Sequence, residues 1–321
     1  MNILVTGGAG FIGSAVTKRL VERGDRVVIL DNFNDYYDPQ LKRDRIAVFL
    51  KGVDFKLYEG DIRDTALVEN IFLEEKIEKV VHLAAMAGVR NSIKDPFLYA
   101  DVNINGTLVL LEAARKHDVQ NFVYASSSSV YGGNEKIPFS ENDSVDSPIS
   151  PYAASKKADE LFAHTWSHLY GLPTTGLRFF TVYGPWGRPD MALFNFTKNI
   201  FEEKPIEVYN FGNMTRNFTY IDDIVSGTIT VLDANLPVGV MNIGGDAEEK
   251  LTRFIEVIEE NIGKTAEKKM MPMQPGDVPS TVADISKLRT LGWAPTTRID
   301  VGIKNFVDWY REYYQVEEVS F

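Results

Sequence analysis

Ile3-Leu-Val-Thr6 followed by Gly7-Gly-Ala-Gly10-Phe-Ile-Gly13 is the stretch that decides the fold. A short apolar run ends in glycines spaced Gly-x-x-Gly-x-x-Gly, and a segment with helical periodicity follows it. Glycine at these positions permits a tight turn, allows a pyrophosphate to approach the backbone and lets the helix pack closely on the strand. The stretch therefore predicts a strand, a phosphate-binding turn and a helix, although an ordinary glycine turn has the same spacing.

The alternation of strand and helix continues through the first half of the chain. Short apolar runs predict buried strands at residues 3–6, 27–30, 55–58, 80–83 and 122–125. Helices are predicted at residues 11–23, 65–75, 101–117 and 151–170, with Pro96 and Pro151 at helix entries. Strands that alternate with helices imply right-handed crossovers and a parallel sheet covered on both faces. The predicted fold class is α/β, a Rossmann-type doubly wound parallel sheet.

The second half of the chain changes character. Residues 178–183 resemble one more strand, after which Gly, Pro and aromatic residues crowd the loop Gly184-Pro-Trp-Gly-Arg-Pro189. Helices are predicted at residues 191–203, 221–232, 250–262 and 301–313, and one apolar stripe is formed by Leu251, Phe254, Ile255, Ile258 and Ile262. We predict a first domain over residues 1–178 and a smaller α/β substrate-binding lobe over residues 179–321. A segment near residues 217–245 is expected to return to the first domain.

Composition and charge exclude several classes of protein. The chain has 321 residues, of which 44% are hydrophobic and 25% charged, as is typical of a soluble globular protein. Its formal net charge of -11 argues against nucleic-acid and anionic-membrane partners, so an anionic ligand needs local arginines and helix N-termini. The chain has no cysteine, which excludes disulfides and thiolate chemistry. Residues 1–30 do not resemble a signal peptide, and no apolar run approaches the roughly 18 residues of a membrane span. We therefore expect a cytoplasmic protein.

Three predicted strand ends indicate how a dinucleotide binds. Asp31 ends the second strand, where a carboxylate binds the adenosine ribose 2′-hydroxyl and repels a 2′-phosphate, which favours NAD over NADP. Asp61 follows the third strand and either contacts adenine or caps a helix. His82-Leu-Ala-Ala85 ends the fourth strand with small residues that leave room for a cofactor, and we interpret His82 as a packed strand residue. The first domain is thus predicted to bind NAD.

Two further motifs carry chemistry. Tyr152-Ala-Ala-Ser-Lys156 places a phenol and an ammonium four residues apart, on one face of a helix. A tyrosine hydroxyl ordinarily has a pKa near 10, and a fixed cation beside it favours the phenolate. Ser126-Ser-Ser-Ser129 follows the fifth strand, where one hydroxyl can share a proton with a substrate hydroxyl and with Tyr152. Alone, either motif is more often a polar loop or a surface pair. Together with the glycine turn they predict removal of a hydroxyl proton while a dinucleotide takes the hydride.

Other constellations do not lead to a site. His164 and His168 stand four apart on a predicted helix, a spacing that suits zinc, but no glutamate base and no third ligand accompany them. We predict no metal. The serine run lacks the Gly-x-Ser-x-Gly elbow of a serine hydrolase.

With these motifs, the chain resembles the extended short-chain dehydrogenase/reductase family, and within it the nucleotide-sugar 4-epimerases. The stretches most similar to the UDP-glucuronate 4-epimerase branch are Asp31-Asn-Phe-Asn-Asp-Tyr-Tyr-Asp38, Ala87-Gly-Val-Arg90, Arg178-Phe-Phe-Thr-Val-Tyr-Gly-Pro185 and Arg188-Pro-Asp-Met191. The resemblance implies an isomerase that converts UDP-glucuronate to UDP-galacturonate through a transient 4-keto sugar, with tightly bound NAD. It also implies a homodimer built from helices such as residues 101–117 and 151–170.

The resemblance assigns roles residue by residue. It makes Tyr152 the acid/base, Ser127 the catalytic serine, and Lys156 the residue that assists Tyr152 and holds the nicotinamide ribose. The implied cofactor-binding residues are Gly7, Gly10, Phe11, Ile12, Gly13, Asp31, Asn32, Asp61, Ile62, Leu83, Ala84, Ala85, Tyr152, Lys156 and Phe179. The implied substrate-binding residues are Arg90, Ser127, Ser128, Tyr152, Thr181, Arg188, Val208, Arg216 and Asp277.

A uronic acid adds a chemical difficulty, because a ketone at C4 turns the C6 carboxylate into a β-keto acid that readily loses CO₂. Arg188, with Thr181 nearby, is the candidate that holds this carboxylate, since a guanidinium grips carboxylates in fixed planar geometry. The alternative for Arg188 is a loop arginine exposed to water.

Departures from neighbouring branches leave alternatives open. Dehydratases carry Asp-Glu after the catalytic Thr and related decarboxylases a nearby Glu, whereas this chain has Ser128 and Ser129. Galactose-type epimerases have Asn at the position of Thr181 and Arg at that of Gln274. The alternatives are a UDP-glucose/UDP-galactose 4-epimerase, a UDP-glucuronate decarboxylase and a non-catalytic NAD-binding protein.

Overall fold

The computed structural model describes residues 1–274 and 276–316. Its strands are β1 (Asn2–Thr6), β2 (Arg26–Asp31), β3 (Phe55–Glu59), β4 (Lys79–His82), β5 (Asn121–Ser127), β6 (Thr174–Phe179), β7 (Thr181–Tyr183), β8 (Ile206–Val208), β9 (Thr215–Arg216), β10 (Phe218–Tyr220), β11 (Val238–Ile243), β12 (Glu249–Lys250), β13 (Lys268–Met270) and β14 (Ser280–Thr281).

Its α-helices are α1 (Phe11–Glu22), α2 (Pro39–Asp44), α3 (Thr65–Glu75), α4 (Val89–Lys94), α5 (Pro96–Tyr99), α6 (Gly106–Lys116), α7 (Pro151–Tyr170), α8 (Ala192–Phe201), α9 (Ile221–Ala234), α10 (Leu251–Ile262), α11 (Ser286–Arg289) and α12 (Ile299–Tyr314). Two π-helical turns, Arg45–Phe49 and Ala100–Asn105, follow α2 and α5, and 3-10 turns occupy Ser128–Tyr131 and Tyr209–Gly212.

A seven-stranded parallel sheet forms the centre of the molecule, in the order β11-β6-β5-β4-β1-β2-β3. Alternate residues of its strands enter two different cores: Ile3 and Val5 pack on the face covered by α1 and α9, and Leu4 packs on the face covered by α3 and α6. Burial on both faces requires helices on both sides. This confirms the predicted doubly wound α/β fold.

Outside the central sheet, the strands of the described residues are only two or three residues long. β10 pairs with β7 and β13 with β8, both parallel, while β9 lies between β12 and β14. The predicted apolar stripe of α10 is buried along its whole length. β11 adds to the β6 edge of the central sheet, and α9, which precedes it in the chain, covers one face of the same sheet. Residues 317–321 of the predicted second domain lie outside the described residues.

Capping explains why two helices begin and end as the sequence predicts. The Asp64 side chain accepts hydrogen bonds from the backbone N–H groups of Ala66 and Leu67 at the start of α3. Ser150 accepts from the N–H of Ala153, with Pro151 in the first turn, and α7 ends at Gly171 in the left-handed conformation (φ 70°). Such caps satisfy donors that the helix itself leaves open. The predictions of helices at 65–75 and 151–170 are confirmed to the residue.

Three secondary-structure predictions are corrected. Residues 55–58 form β3, but as an edge strand they are only half-buried rather than buried. The predicted helix 101–117 begins with a π-helical turn and becomes α-helical only at Gly106. The predicted strand 178–183 is two strands, because β6 begins earlier, at polar Thr174, and ends at Phe179, and β7 pairs with β10 instead of the central sheet. Helices α2, α4 and α11 were not predicted, since helices of four to six residues carry too few turns to show periodicity. The short helix α5 begins at Pro96, the helix entry that the sequence indicated.

Within residues 1–274 and 276–316, every helix is too short or too polar to cross a membrane.

Candidate active site

A cavity of about 910 Å³ lies where the central strands end at their carboxyl termini. Parallel α/β sheets bind ligands at this edge. Nearly all predicted binding and catalytic residues line it, namely Gly7, Gly10, Phe11, Ile12, Gly13, Asp31, Asn32, Ile62, Leu83, Ala84, Ala85, Arg90, Ser127, Ser128, Tyr152, Lys156, Phe179, Thr181, Arg188, Arg216 and Asp277. Residues from both halves of the chain therefore meet around one space.

The glycine turn leaves no room for side chains. A Cβ atom on Gly13 would lie 2.1 Å from the Gly7 carbonyl oxygen, and Gly7 itself has a φ of 69°. Helix α1 begins at Phe11, and its N-cap residue Gly10 supplies no side-chain hydrogen bond to the first turn. The open N–H groups and the helix dipole favour an anion such as a pyrophosphate at this point. The turn therefore fits the predicted dinucleotide.

Asp31 ties the glycine turn to the end of β2. Its two carboxylate oxygens accept hydrogen bonds from the backbone N–H groups of Ala9, at 3.0 Å, and Phe33, at 2.9 Å. A carboxylate offers about four acceptor positions, so each oxygen can also accept a ribose hydroxyl. Its place in the cavity lining is consistent with the predicted contact to the adenosine ribose.

The helix cap is Asp64 and not Asp61, so the capping alternative for Asp61 is wrong. The Asp61 carboxylate instead pairs with Arg63 and accepts from the Asn32 amide at 3.0 Å, and the hydrogen bonds from Arg63 lower the pKa of Asp61 to about 2. Its side chain is turned towards these partners and lies outside the cavity lining.

The predicted catalytic residues stand on the end of β5 and on the first turns of α7. The Ser127 hydroxyl oxygen accepts from the Ser129 backbone N–H at 3.1 Å and from the Ser129 hydroxyl at 2.9 Å. The Tyr152 ring meets the Tyr99 ring edge to face, with centroids 6.2 Å apart. The Lys156 ammonium donates to the Asp159 carboxylate at 3.1 Å, a partner that the sequence did not reveal.

Hydrogen bonds to the buried Glu160 carboxylate join the serine run and β6 to α7. The Ser126 hydroxyl donates to the Glu160 carboxylate at 2.6 Å, and Arg178 on β6 donates to both Glu160 oxygens, at 2.8 and 2.9 Å. Arg178 also donates to the Tyr131 hydroxyl at 3.0 Å. Because Glu160 follows Lys156 by four residues, helical spacing places it on the same face as the predicted catalytic pair. That spacing was the available signal for a residue that the sequence analysis missed.

Arg188 lies in the cavity wall on the loop between β7 and α8. Its guanidinium forms two hydrogen bonds with Asp190, Nε to Oδ1 at 3.0 Å and Nη2 to Oδ2 at 2.5 Å. It also stands 5.5 Å from the centre of the Tyr36 ring. Burial opposes the charged form, but the Asp190 carboxylate prevails and raises the pKa of Arg188 above its ordinary value. With 23% of its side chain exposed, Arg188 is not the water-exposed loop arginine of the alternative.

Tyr36 connects Arg188 to the first domain. Its hydroxyl donates to Asp190 at 3.3 Å and accepts from the Asn91 amide at 3.0 Å. Burial, together with the negative charge of Asp190, raises the pKa of Tyr36. In the sequence, Tyr36 stood out only as a member of the stretch Asp31–Asp38. Its contact with Asp190 joins residues 154 positions apart, so the local pattern could not reveal it.

Arg45 holds the Arg188 loop against the glycine turn. It is fully buried and donates to the Trp186 carbonyl at 3.1 and 2.7 Å, to the Gly187 carbonyl at 3.3 Å and to the Ala9 carbonyl at 3.2 Å. One guanidinium therefore joins the cofactor turn to the loop that carries Arg188. The sequence analysis missed this residue, because nothing in its local pattern distinguishes it from a surface arginine.

Two arginines and a carboxylate meet at another part of the cavity wall. Arg216 donates to Asp277 at 2.8 Å, and the Arg90 guanidinium lies 3.9 Å from the same carboxylate and 5.2 Å from the Tyr209 ring centre. Burial lowers the pKa of Arg216 below its ordinary value. These arginines provide the local positive charge that an anionic ligand requires in a protein of net negative charge.

Val208 is the other predicted residue outside the lining. It is 1% exposed and packs into the core, because side chains alternate along β8 and its neighbours Glu207 and Tyr209 face the cavity instead. A side-chain contact from Val208 to the substrate is therefore not supported.

The histidines behave as the sequence suggested. His82 is buried, and its ring nitrogens bond to the hydroxyls of Thr6 at 2.7 Å and Thr107 at 3.0 Å. Burial, with a smaller contribution from Lys156, lowers the pKa of His82 to about 3, so its ring is neutral. His164 and His168 are exposed on α7. Among the residues that the structure describes, His, Asp and Glu form no group of three or more that could hold a metal.

Comparison with known proteins supplies the family. Residues 3–244 match the model of the NAD dependent epimerase/dehydratase family, and the chain belongs to that family. UDP-glucuronate 4-epimerase 4 of Arabidopsis thaliana is 47% identical over 98% of this chain and 76% of that protein. The family confirms the resemblance drawn from the motifs, and with it the predictions of an enzyme and of NAD as its cofactor.

Solved structures agree with the fold. The crystal structure of UDP-glucuronic acid 4-epimerase from Bacillus cereus, in complex with UDP-glucuronic acid and NAD, superposes with a TM-score of 0.92 at 37% identity, covering 98% of this chain and 100% of that one. A UDP-glucose 4-epimerase of Thermotoga maritima, solved with UDP-glucose, has a TM-score of 0.88 at 32% identity, with 98% and 100% coverage. The chain is thus similar to both kinds of epimerase.

Proposed function

We propose that this enzyme interconverts UDP-glucuronate and UDP-galacturonate by reversible oxidation at C4 of the sugar. The observation that carries the proposal is that one cavity holds both the Tyr152–Lys156 pair and the Arg188 guanidinium. A proton acceptor and a carboxylate ligand in the same cavity suit a uronic acid better than a neutral hexose. Among the solved structures, the 37% identity to the UDP-glucuronic acid 4-epimerase of Bacillus cereus, against 32% to the UDP-glucose 4-epimerase of Thermotoga maritima, points the same way.

The glycine turn and Asp31 fit NAD and would hold it. The open N-terminus of α1 suits the pyrophosphate, Asp31 suits an unphosphorylated ribose, and the small residues at the end of β4 leave space. When bound, NAD supplies an acceptor that takes the C4 hydride and returns it within the same turnover.

Tyr152 and Ser127 handle the proton. Tyr152, as phenolate, takes the proton of the C4 hydroxyl and gives one back to the same oxygen at the end of the turnover. The ammonium of Lys156 favours the phenolate form. Ser127 lends its hydroxyl to the same hydrogen-bonded group, and its oxygen is oriented by Ser129. Between the two proton transfers, the flat 4-keto sugar turns within the cavity and presents its other face.

Arg188, Thr181 and Ser128 are proposed to hold the C6 carboxylate. Decarboxylation of a β-keto acid requires the breaking C–C bond to align with the ketone, and a fixed guanidinium can prevent that alignment. Asp190 and Tyr36 keep the guanidinium in one orientation before any substrate arrives.

The UDP moiety is assigned to the part of the cavity wall formed by Arg90, Arg216 and Asp277. Arg90 and Arg216 provide cations for the diphosphate, and Asp277, which lies between them, sets their positions. Asp61 and Val208 are left out of the proposed site, because neither lines the cavity.

Substrate choice is tested by incubating the purified enzyme with UDP-glucuronate and, separately, with UDP-glucose, and by following the configuration at C4 by NMR. Formation of UDP-galacturonate, with little turnover of UDP-glucose, supports the proposal. Turnover of UDP-glucose alone would instead favour the UDP-glucose/UDP-galactose epimerase, and a UDP-pentose product would favour the decarboxylase. NAD binding without any reaction would favour a non-catalytic protein.

Assembly, location and domain division remain proposals. Exposed apolar side chains on α5 and α7, Phe97, Leu161 and Leu169, support a homodimer that uses this side of the molecule. The division at residues 178/179 is supported by the short strands that follow β6. A cytoplasmic location is supported by the absence of cysteine from the sequence.

A further inference from the structure

The Asp159 carboxylate lies on the same face of α7 as Tyr152 and Lys156, but it takes no part in the proton transfers proposed above. Tyr152, Lys156 and Asp159 follow one another at i, i+4 and i+7, so all three point to one side of the helix. Asp159 is 1% exposed and Lys156 is 2% exposed. A buried carboxylate therefore lies one helical turn after the lysine that assists the acid/base.

The contacts of Asp159 are few. Its Oδ2 atom accepts a hydrogen bond from the Lys156 ammonium at 3.1 Å. Its Oδ1 atom has no hydrogen-bond partner among the described residues. The Thr107 hydroxyl on α6 favours the ionised carboxylate from nearby, and its oxygen also bonds to the His82 ring at 3.0 Å. Lys156 is the cation that pairs with Asp159.

The other titratable groups around this pair do not replace that partner. They are Glu160 on the same helix, Tyr124 on β5 and His82 on β4. Glu160 is paired with Arg178, burial raises the pKa of Tyr124 well above its ordinary value, and the ring of His82 is neutral. Burial raises the pKa of Asp159 to about 6 against the opposing effect of Lys156, so the carboxylate is ionised at neutral pH.

We propose that Asp159 is a positioning residue for catalysis, whose carboxylate holds the Lys156 ammonium against α7 and offsets part of the positive charge that Lys156 presents to Tyr152. The proposal rests on the proposed function only through the catalytic pair. Tyr152 must take up a proton and release one in every turnover, and such a group works best when neither of its forms is strongly preferred. Two cations beside it, Lys156 and an oxidised nicotinamide, would favour the phenolate too strongly without a compensating carboxylate.

Asp159→Asn tests the charge, because it keeps an oxygen acceptor for Lys156 and removes the negative charge. Asp159 follows Tyr152 by seven residues, about 10 Å along the helix, a distance at which a unit charge moves an ionisation by up to about one pH unit. We expect the acid limb of the kcat/KM-against-pH profile to move to lower pH by about half a unit to one unit, with kcat at the optimum changed less than about threefold. Asp159→Ala, which removes the acceptor as well, is expected to lower kcat about tenfold at every pH.

Glu112→Gln is the matched control, since it removes one carboxylate charge from the surface of α6, where Glu112 pairs with Arg115. Its pH profile is expected to coincide with that of the wild type. An Asp159→Asn profile that also coincides with the wild type would overturn the proposal. So would an equal loss in the Asn and Ala variants at every pH without a shift, because that pattern belongs to a purely structural residue.

Two additional measurements distinguish a misfolded variant and a wrong substrate from a wrong role for Asp159. If Asp159→Asn does not fold, the side-chain ammonium resonance of Lys156 can be followed by NMR in the wild type, where it is expected to shift as Asp159 is protonated, and an unchanged resonance over the whole pH range of the folded protein contradicts the pairing. If UDP-glucuronate is not turned over, the profile is measured with whichever UDP-sugar is. A wrong substrate assignment and an unshifted acid limb are then distinct results.

Discussion

Two parts of the cavity wall are built in different ways. In one part Ser127, Tyr152 and Lys156 stand on a strand end and a long helix, and most of their supports lie on the same elements or on the next strand. In the other part Arg188 stands on an irregular loop and is held by Tyr36, 152 positions earlier in the chain, besides its neighbour Asp190. We refer to the first part of the wall as the helix end and to the second as the loop end.

The difference separates reaction from substrate choice. Proton transfer needs groups fixed to fractions of an ångström, which regular elements provide, whereas recognition residues commonly lie on loops that a rigid scaffold positions. Changes at the helix end should therefore affect every substrate alike. Changes at the loop end should distinguish a uronic acid from a neutral sugar.

Tyr152→Phe is the largest expected effect. Loss of the hydroxyl removes the group that takes the C4 proton, so turnover is expected to fall by about 10³-fold with any UDP-sugar. The ring and its contact with Tyr99 remain, so NAD should stay bound. NMR of the product and the NAD content of the purified variant measure the two expectations. Loss of NAD along with activity would mean that the variant tests the fold and not the proton transfer.

Arg188→Ala is the next largest and is expected to be selective. Removing a charge-assisted contact costs roughly 2 kcal/mol, so kcat/KM for UDP-glucuronate should fall about 30-fold, and some UDP-pentose should appear. Any residual turnover of UDP-glucose should be unchanged within about threefold. Arg298→Ala, at an exposed arginine near the start of α12, is the control. Equal losses for acid and neutral sugars would contradict the carboxylate assignment.

Arg45→Lys changes the residue that joins the loop end to the glycine turn, and it is expected to have an intermediate effect. A lysine cannot reach the carbonyls of Trp186, Gly187 and Ala9 together, so buried acceptors lose their donors at about 1–3 kcal/mol. The unfolding midpoint in urea should drop, and kcat/KM for UDP-glucuronate should fall about tenfold. Arg43→Lys, on the exposed side of α2, is the control. An unchanged midpoint would show that Arg45 does not hold the loop.

Tyr36→Phe is the smallest expected change. It removes one hydroxyl that donates to Asp190 and accepts from Asn91 but leaves the ring beside Arg188. One hydrogen bond contributes about 1 kcal/mol, so the fraction of decarboxylated product should rise no more than about fivefold. Tyr58→Phe, where the hydroxyl bonds to Glu75 on the far side of the sheet, is the control. A product distribution identical to the wild type would mean that Asp190 alone orients Arg188.

The helix end could be predicted from sequence because its signals are local. Helix 151–170 was predicted with Pro151 at its entry, and the spacing of Tyr152 and Lys156 gave their common face; the structure adds Ser150 and Gly171 as the caps that explain its bounds. Asp159 and Glu160 follow Lys156 by three and four residues, so the same helical spacing would have placed them on the face of Tyr152 and Lys156. What it cannot show is their partners, since Arg178 and Thr107 reach them from other elements.

The loop end was predicted only in part because its contacts are distant in sequence. Arg188 was singled out by its motif, but its orientation depends on Tyr36 and Asp190, and the loop position depends on Arg45. Val208 illustrates the opposite error. It matched a motif, yet burial in the core turns its side chain away from the cavity.

The most direct test of the account uses UDP-glucuronate labelled with deuterium at C4, incubated with the enzyme in ordinary water. If the C4 hydride leaves and returns while the sugar stays in the cavity, the UDP-galacturonate product should keep nearly all of its deuterium at C4 by NMR. Product formed with the label lost to solvent, or no product while UDP-glucose is turned over, would contradict it.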